Sequence, residues 1–214
     1  MSHTDRPPLR LALFASGSGT NFNAILNEID AGRLEARVVC LVVNRKDCGA
    51  AETALSLGIP VCFYGNHYFG QSVPAASEIV EKLQELNTDY IVLAGFLRMI
   101  PQQLLQAFNQ RVLNIHPALL PAFGGEGMYG ARVHQAVWES GVTVSGATIH
   151  IVDEQFDHGP ILLQEAVALD RIEDTPETIQ QKVLQVEHRL YARAIQLLAE
   201  YNVEIKEGRI QLWR

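Results

Sequence analysis

The amino-acid sequence predicts an α/β fold: a single open, mostly parallel, twisted sheet with helices on both faces, followed by a short C-terminal β-hairpin. Short apolar runs of strand length alternate with stretches of helical periodicity along most of the chain. Glycine and proline mark the ends of many of these segments. The 214 residues suit one domain, 1–214, and no repeat, linker or low-complexity stretch divides them.

The first half of the chain alternates strands and helices. Leu9–Ala15 is the first predicted strand. A helical pattern follows and ends at Gly32, with apolar residues at Phe22, Ile25, Leu26 and Ile29. The next segments, in chain order, are a strand at 37–43, a helix at 48–57 stopped by Gly58, a strand at 60–64, a helix at 74–86, a strand at 89–94, a helix at 101–108 with proline at its start, and a strand at 111–115.

The pattern changes after residue 115. Residues 124–130 hold four glycines and are predicted to be a loop. A short helix at 133–138 and strands at 146–152 and 161–169 follow. Thr175 as N-cap and Pro176 at the first position begin the longest helix, which carries an apolar stripe. Residues 203–213 form a predicted hairpin about Glu207-Gly208.

Composition and charge exclude several partners. The formal net charge of −7 argues against nucleic acid or an anionic membrane. No apolar run approaches the roughly 20 residues that span a bilayer, and residues 1–10 lack the apolar core of a signal peptide. Because Cys40, Cys48 and Cys62 have no paired spacing, we expect reduced thiols and a cytoplasmic protein.

The segment between the first strand and helix contains Gly17-x-Gly19, which is typical of phosphate-binding turns, because a helix N-terminus offers free amides and a partial positive charge. The segment Gly19-Thr20-Asn21 lacks the lysine of a Walker loop. Phe22 stands where a dinucleotide site needs a third glycine. The residues therefore favour a single terminal phosphate, and the alternative is a tight turn without a ligand.

Asn114 and His116 end a predicted strand and point to one face of the sheet, since they are two positions apart. Ligands of open parallel sheets bind at this end of the strands. Asn114 can donate to a developing oxyanion, and a protonated His116 can do the same and transfer a proton. A carboxylate would hold His116 charged and oriented. Asp157 is the candidate, although spacing alone does not bring the two residues together.

Other interpretations of the histidines stay open. A lone buried histidine is usually structural. A metal site is the sharper rival, with possible ligands at His116, His134, His150 and His158. We expect no metal, because HxxEH and HExxH spacings are absent. A serine hydrolase is disfavoured because the chain lacks a GxSxG motif.

Four segments carry a family resemblance: Ser16-Gly17-Ser18-Gly19-Thr20-Asn21, Val92-Leu93-Ala94-Gly95-Phe96-Leu97-Arg98, the Asn-x-His-Pro-x-Leu-Leu-Pro element that begins at Asn114, and Phe156-Asp157-His158-Gly159-Pro160. In order and spacing they resemble the folate-dependent glycinamide ribonucleotide formyltransferases over residues 9–200. The third segment with the later Asp-x-Gly-Pro is specific to formyl-folate enzymes. The resemblance implies a Rossmann-like formyltransferase fold.

The resemblance also implies a reaction and a set of roles. In de novo purine biosynthesis, the amine of glycinamide ribonucleotide attacks the formyl carbon of the co-substrate 10-formyltetrahydrofolate, and a tetrahedral intermediate expels the folate nitrogen. The implied catalytic residues are Asn114, His116 and Asp157. The implied ribonucleotide-binding residues are Gly19, Thr20 and Asn21 for the phosphate, and Glu187. The implied folate-binding residues are Leu97, Arg98, Met99, Ile100, Ile151, Val152 and Asp153, with the pocket continuing to Asp157.

Glu187 also stands out from the pattern of the long helix. Its neighbours three and four positions away are largely apolar: Val183, Leu184, Leu190 and Tyr191. A carboxylate buried among them needs a polar partner. The alternative is a boundary residue whose head reaches water.

One segment departs from the family pattern. Many members carry a lysine and a short loop after the position of Pro121, whereas this chain has Ala122-Phe123 and the longer segment 124–130. Local contacts there, including any anion contact, stay open.

Two rival functions remain. In a formyltetrahydrofolate deformylase water replaces the amine, but that family carries an additional N-terminal domain, for which a first strand at Leu9 leaves no room. The other rival is a non-catalytic folate- or nucleotide-binding protein. We expect small-molecule substrates, no nucleic-acid or membrane partner, and a monomer or a homodimer.

Overall fold

The computed structural model describes residues 6–45, 47–65 and 75–213. Its strands are β1 (Leu9–Ala15), β2 (Ala36–Val43), β3 (Val61–Phe63), β4 (Tyr90–Leu93), β5 (Val112–His116), β6 (Val144–Ile151), β7 (Ile161–Ala168), β8 (Asn202–Lys206) and β9 (Arg209–Trp213). Its helices are α1 (Thr20–Asp30), α2 (Gly49–Ser56), α3 (Ala76–Glu85), α4 (Gln102–Ala107), α5 (Ala131–Ser140) and α6 (Pro176–Glu200).

The main sheet has the strand order β3-β2-β1-β4-β5-β6-β7. The first five of these strands run parallel, whereas β6 is antiparallel to β5 and β7 is antiparallel to β6. Strands β8 and β9 form a separate antiparallel hairpin. The predicted mostly parallel sheet and C-terminal hairpin are confirmed. The strand order changes direction at β1 and β4, and ligands of open α/β sheets bind at such a point.

Both faces of the sheet are covered. Along β1, Leu11 and Leu13 face the core layer that includes residues of α1, α2, α5 and α6. Ala12 and Phe14 face the opposite layer, which includes residues of α3 and α4. A strand buried on both faces is a continuous apolar run, and this is why β1 is evident in the sequence.

Helix α6 begins where the sequence predicts. The hydroxyl of Thr175 accepts from the Thr178 amide, and the hydroxyl of Thr178 accepts from the Thr175 amide over 2.9 Å. Pro176 fills the first helical position. Farther along, the buried hydroxyl of Tyr191 donates to the Leu93 carbonyl over 2.6 Å. This bond fixes the middle of α6 to the end of β4.

Some boundaries differ from the predicted ones. Helix α1 begins at Thr20, because Gly19 has a left-handed φ of 80° and makes the turn itself, and the helix ends at Asp30, just before the predicted stop at Gly32. Helix α5 begins at 131 rather than 133, and β6 begins at 144 rather than 146. Residue 74, the predicted start of the third helix, lies outside the described residues. Within the described ranges, every helix is too short or too polar to cross a bilayer.

Candidate active site

A cavity of about 560 Å³ opens beside the ends of β4 and β5. Its wall brings together segments from most of the chain: Thr20 and Asn21 on α1, residues 97–100 after β4, 114–117 at the end of β5, 125–130, 152–157 after β6, and Gln180, Leu184 and Glu187 on α6. The volume and the position at the ends of parallel strands suit small-molecule ligands.

The structure brings Asn114, His116 and Asp157 together in this cavity. Nδ1 of His116 lies 3.3 Å from Oδ2 of Asp157, and Nδ2 of Asn114 lies 3.4 Å from Oδ1 of the same carboxylate. Beyond β6, the Val152 amide donates to the Val112 carbonyl over 2.8 Å, and the chain then folds back so that the Ile151 amide donates to the Pro160 carbonyl over 2.9 Å. Asp157 lies in this loop and contacts the other two side chains.

Both ring nitrogens of His116 face hydrogen-bond acceptors. Nδ1 faces the Asp157 carboxylate, and Nε2 lies 2.8 Å from the carbonyl oxygen of Phe123. An imidazolium satisfies both acceptors, whereas a neutral ring would turn a lone pair toward one of them. The geometry therefore suits a cationic His116 paired with Asp157.

Asp157 is held as a fixed negative charge. Burial raises the pKa of this carboxyl, but the hydrogen bond and the charge of His116, the neighbouring His150 ring and the Gly125 amide outweigh burial, and the pKa lies well below its ordinary value. The Gly125 amide donates to Oδ2 over 3.1 Å. Asp157 therefore stays ionised at neutral pH.

His150 completes this polar cluster, although the sequence suggested it only as a possible metal ligand. Its Nε2 lies 3.0 Å from Nδ2 of Asn114 and 3.7 Å from Oδ1 of Asp157. Its Nδ1 lies 3.2 Å from the Ile151 carbonyl, so the partners assign the ring proton to Nδ1 and leave Nε2 to accept from Asn114. The signal that identifies His150 is the strand register, which pairs it directly with Asn114.

A buried hydroxyl supports the turn that follows β5. Thr148 donates to the Ala118 carbonyl over 2.7 Å and accepts from the Leu120 amide over 3.0 Å. The side-chain amide of Gln164 donates to the Thr148 hydroxyl and to the Leu120 carbonyl. These bonds hold the backbone after His116 against β6 and β7.

The turn proposed to bind phosphate, at Gly19, Thr20 and Asn21, contributes another part of the cavity wall. Thr20 and Asn21 line the cavity in the first turn of α1, where backbone amides have no partner within the helix. Gly19 shapes the turn rather than the cavity wall, since a Cβ at this position would lie 2.7 Å from Cβ of Ala50. The free amides at the start of this helix suit a phosphate.

Glu187 is buried, and it has the polar partner that a carboxylate among apolar neighbours needs. The side-chain amide of Asn21 donates to its Oε2 over 2.7 Å. Burial raises the pKa of Glu187, while the Asn21 hydrogen bond and the charge of His116 act against this rise. The contact joins α6 to the first turn of α1.

The residues that the resemblance assigns to folate form another wall. Those that line the cavity are Leu97, Arg98, Met99, Ile100, Val152 and Asp153. Ile151 does not, because side chains alternate along β6 and its own packs into the core layer beneath α6. Leu97 is 57% exposed and Met99 53% exposed, so they offer an apolar rim to a ligand. The Ser16 hydroxyl accepts from the Leu97 amide over 2.9 Å and joins this wall to the segment between β1 and α1.

Residues 125–130 of the glycine-rich loop line the cavity, and the start of this loop contacts the polar cluster. A Cβ at Gly124 would lie 2.5 Å from Cδ2 of Leu120 and 3.2 Å from Cβ of Asp157, so a side chain at this position would require Leu120 to move. The Phe123 carbonyl contacts His116, and the Gly125 amide contacts Asp157, as described above. The segment at 122–130, which differs from the family pattern, therefore contacts two members of the polar cluster.

His158, which the sequence also suggested as a possible metal ligand, lies apart from the polar cluster. His158 is exposed, and its Nδ1 pairs with Oδ2 of Asp153 over 2.8 Å. In the part of the chain that the structure describes, no group of three or more His, Cys, Asp or Glu side chains has a geometry that could hold a metal ion.

Comparison with known proteins gives a family match over most of the chain. A model of the family described as formyl transferase matches residues 9–195. A relative named phosphoribosylglycinamide formyltransferase, chloroplastic, from Arabidopsis thaliana is 46% identical over 204 residues, which cover 95% of this chain and 70% of the relative.

Solved structures agree with this match. The crystal structure of glycinamide ribonucleotide transformylase 1 from Symbiobacterium toebii is 36% identical, with a TM-score of 0.85 over 97% of this chain and 95% of that chain. A formyltetrahydrofolate deformylase structure from Pseudomonas syringae pv. tomato has a TM-score of 0.83 at 25% identity, and the match covers 97% of this chain but 66% of that one. The transformylase is therefore more similar in sequence and in extent than the deformylase.

Proposed function

The chain belongs to the formyl transferase family, as a phosphoribosylglycinamide formyltransferase, and we propose that it transfers the formyl group of 10-formyltetrahydrofolate to the amine of glycinamide ribonucleotide in de novo purine biosynthesis. The observation that carries this proposal is the contact of His116 with Asp157 beside Asn114, over 3.3 Å, in a cavity that also contains the first turn of α1. One cavity thereby offers groups for acyl transfer and amides for a phosphate.

The proposed reaction begins with attack of the amine nitrogen on the formyl carbon. A C–N bond forms while the carbonyl π electrons move to the oxygen. Asn114 donates to this oxygen, and the cationic His116 donates its Nε2–H, which must leave the Phe123 carbonyl to do so. Both donors stabilise the negative charge of the oxygen. Nδ2 of Asn114 and Oδ1 of Asp157 are 3.4 Å apart, so the hydrogen bond between them is weak. The substrate oxygen can therefore compete with Asp157 for this N–H group.

Collapse of the tetrahedral intermediate completes the transfer. The C=O bond re-forms, the bond to the folate nitrogen breaks, and this nitrogen leaves with a proton. His116 gives that proton and takes up the one that the attacking amine loses, so it ends in its initial state. Asp157 keeps the ring oriented throughout.

The two substrates occupy different walls in this proposal. The first turn of α1, at Thr20 and Asn21, holds the phosphate, and the acceptor-only carboxylate of Glu187 binds ribose hydroxyls or the glycinamide amine. The apolar side chains of the wall at 97–100 and 152–153 contact the flat ring system of the folate. This arrangement leaves Asn114 and His116 between the two reacting groups.

Several general properties belong to the same proposal. The reaction uses no metal ion, because hydrogen-bond donors stabilise the developing charge. The protein acts on small molecules in the cytoplasm, without nucleic-acid or membrane partners, as a monomer or a homodimer. The Arabidopsis relative is described as chloroplastic.

Turnover of a formyl folate with and without glycinamide ribonucleotide tests the proposal. We expect folate product only when the ribonucleotide is present. Equal turnover in water alone would support the deformylase. Binding of both compounds without turnover would support a non-catalytic folate- or nucleotide-binding protein.

A further inference from the structure

His134 is a buried side chain that the proposed reaction does not use. It lies in the first turn of α5 and lines the substrate cavity, with 3% of its surface exposed. Among the described residues, neither of its ring nitrogens has a hydrogen-bond partner, and Nδ1 is wholly buried. Because Nδ1 has no access to the cavity, Nε2 is the ring atom that a ligand can reach. Buried polar atoms in native proteins are nearly always paired, so an unpaired Nε2 on a cavity wall points to a ligand as its partner.

The protonation state of His134 narrows the chemistry of that ligand. Burial lowers the pKa of His134 to about 4, and the charge of His116 acts in the same direction. The ring is therefore neutral at physiological pH, with one N–H donor and one acceptor nitrogen. Hydroxyls and amides, which both donate and accept, complement such a ring better than a phosphate or a carboxylate does.

The position of α5 indicates which substrate His134 meets. Val133 and Val137, beside His134 on α5, pack in the same core layer as Phe22 of α1 and Val183 of α6. The wall assigned to folate belongs to the opposite layer, which includes Ile100. The helix that carries His134 therefore lies on the side of the sheet where α1 and α6 meet the cavity.

The electrostatic effect of His116 also places His134 on the same side of the cavity as Glu187. The charge of His116 acts on both His134 and Glu187, so both side chains lie within electrostatic range of the same ring. Glu187 only accepts hydrogen bonds when ionised, whereas a neutral imidazole can also donate. The two side chains thus offer complementary partners to one ligand.

We propose that His134 is a positioning residue that hydrogen-bonds the uncharged ribosyl-glycinamide part of the ribonucleotide, between its phosphate and its attacking amine. This inference rests on the proposed function. It adds a substrate contact on α5 to those expected on α1 and α6.

Three substitutions at His134 separate a binding role from a structural one. His134→Phe keeps a flat ring and removes both nitrogens, whereas His134→Asn and His134→Gln return a polar group near the position of Nδ1 or Nε2. Gln135→Ala, at an exposed neighbour on α5, is the matched control. For each variant we would measure the melting temperature, ribonucleotide affinity by calorimetry without folate, and KM for both substrates.

We expect His134→Phe to raise the ribonucleotide Kd and KM by about five- to tenfold, which corresponds to one lost hydrogen bond. The KM for formyl folate should stay at the wild-type value. The melting temperature should stay the same or rise, because the substitution removes an unpaired buried polar group. At least one of His134→Asn and His134→Gln should recover part of the affinity.

Unchanged ribonucleotide affinity in His134→Phe would overturn the inference, as would an equal loss for both substrates together with a lower melting temperature. If wild-type protein neither binds nor turns over the ribonucleotide, the proposed function itself fails. Wild-type turnover with unchanged His134→Phe affinity removes only the role of His134.

Discussion

Nδ1 of His116 lies 3.3 Å from Oδ2 of Asp157, and this contact joins the end of β5 to the loop between β6 and β7. The other ring nitrogen faces the Phe123 carbonyl, so the ring is held from two sides. A histidine held in this way presents its charge to the cavity in one orientation. The proposed chemistry depends on that orientation.

The first prediction concerns this pair. We expect His116→Ala and Asp157→Asn each to lower kcat by at least about 10²–10³, the usual effect of losing one oxyanion donor or its support. The fold should survive in both, as judged by circular dichroism. Glu28→Gln, at an exposed ion pair on α1, is the control. Near-normal turnover in either variant would remove that residue from the mechanism.

The second prediction concerns Glu187. Glu187→Gln keeps the shape and an acceptor for Asn21 but removes the charge, so the ribonucleotide should bind more weakly by about 1–3 kcal/mol. Folate affinity should change little. Calorimetry with each ligand measures both effects, and Glu200→Gln near the end of α6 is the control. Unchanged ribonucleotide affinity, or a loss confined to folate, contradicts the proposed contact.

The third prediction concerns the loop at 124–130. Its glycines permit many backbone conformations, and residues 125–130 line the cavity next to Asp157, which accepts from the Gly125 amide. We expect limited proteolysis within this loop to slow when both substrates are bound. Cleavage at the turn of the β8–β9 hairpin should keep its rate. Equal cleavage of the loop with and without substrates argues for an ordinary surface turn.

The fourth prediction concerns stability and pH. The ordinary pKa of histidine is 6.5, and burial together with the charge of His116 lowers the pKa of His134 to about 4. Between these values the unfolded chain binds a proton that the folded chain does not, so this group makes the protein less stable as the pH falls from 6.5 to 4. The effect has an upper limit of about 3 kcal/mol.

Urea unfolding of the wild type and of His134→Phe between pH 6.5 and 4 tests whether His134 causes this loss of stability. The variant should lose less stability than the wild type over the same interval. Some loss should remain, because burial also lowers the pKa of His188. Identical pH profiles for the two proteins would show that His134 does not contribute.

Local sequence signals account for much of the fold. The predicted and observed bounds of β1 agree, because a run buried on both faces has sharp ends. Thr175 and Pro176 fix the start of α6 through a hydrogen-bonded cap and a preset φ. The start of α5 was missed, because residues 131 and 132 are exposed and add nothing to the apolar period.

The site depends more on contacts between distant segments. The sequence indicated Asn114, His116 and Asp157 by residue type and by resemblance, but their meeting requires the return of the chain after β6. His150 joins them through the register of β5 with β6, which no local pattern encodes. The contact between His116 and Phe123 uses a backbone carbonyl, so the side-chain identity at 123 carries no signal for it.

The most direct test of the account is the fate of an isotopically labelled formyl group. The wild-type protein would be given labelled 10-formyltetrahydrofolate and glycinamide ribonucleotide in a buffer containing EDTA, and the products would be separated by chromatography. We predict that the label appears on the amine of the ribonucleotide in proportion to the folate released, with no labelled formate. Label in formate, or activity lost in EDTA and restored by zinc, would contradict a metal-independent transfer to the amine.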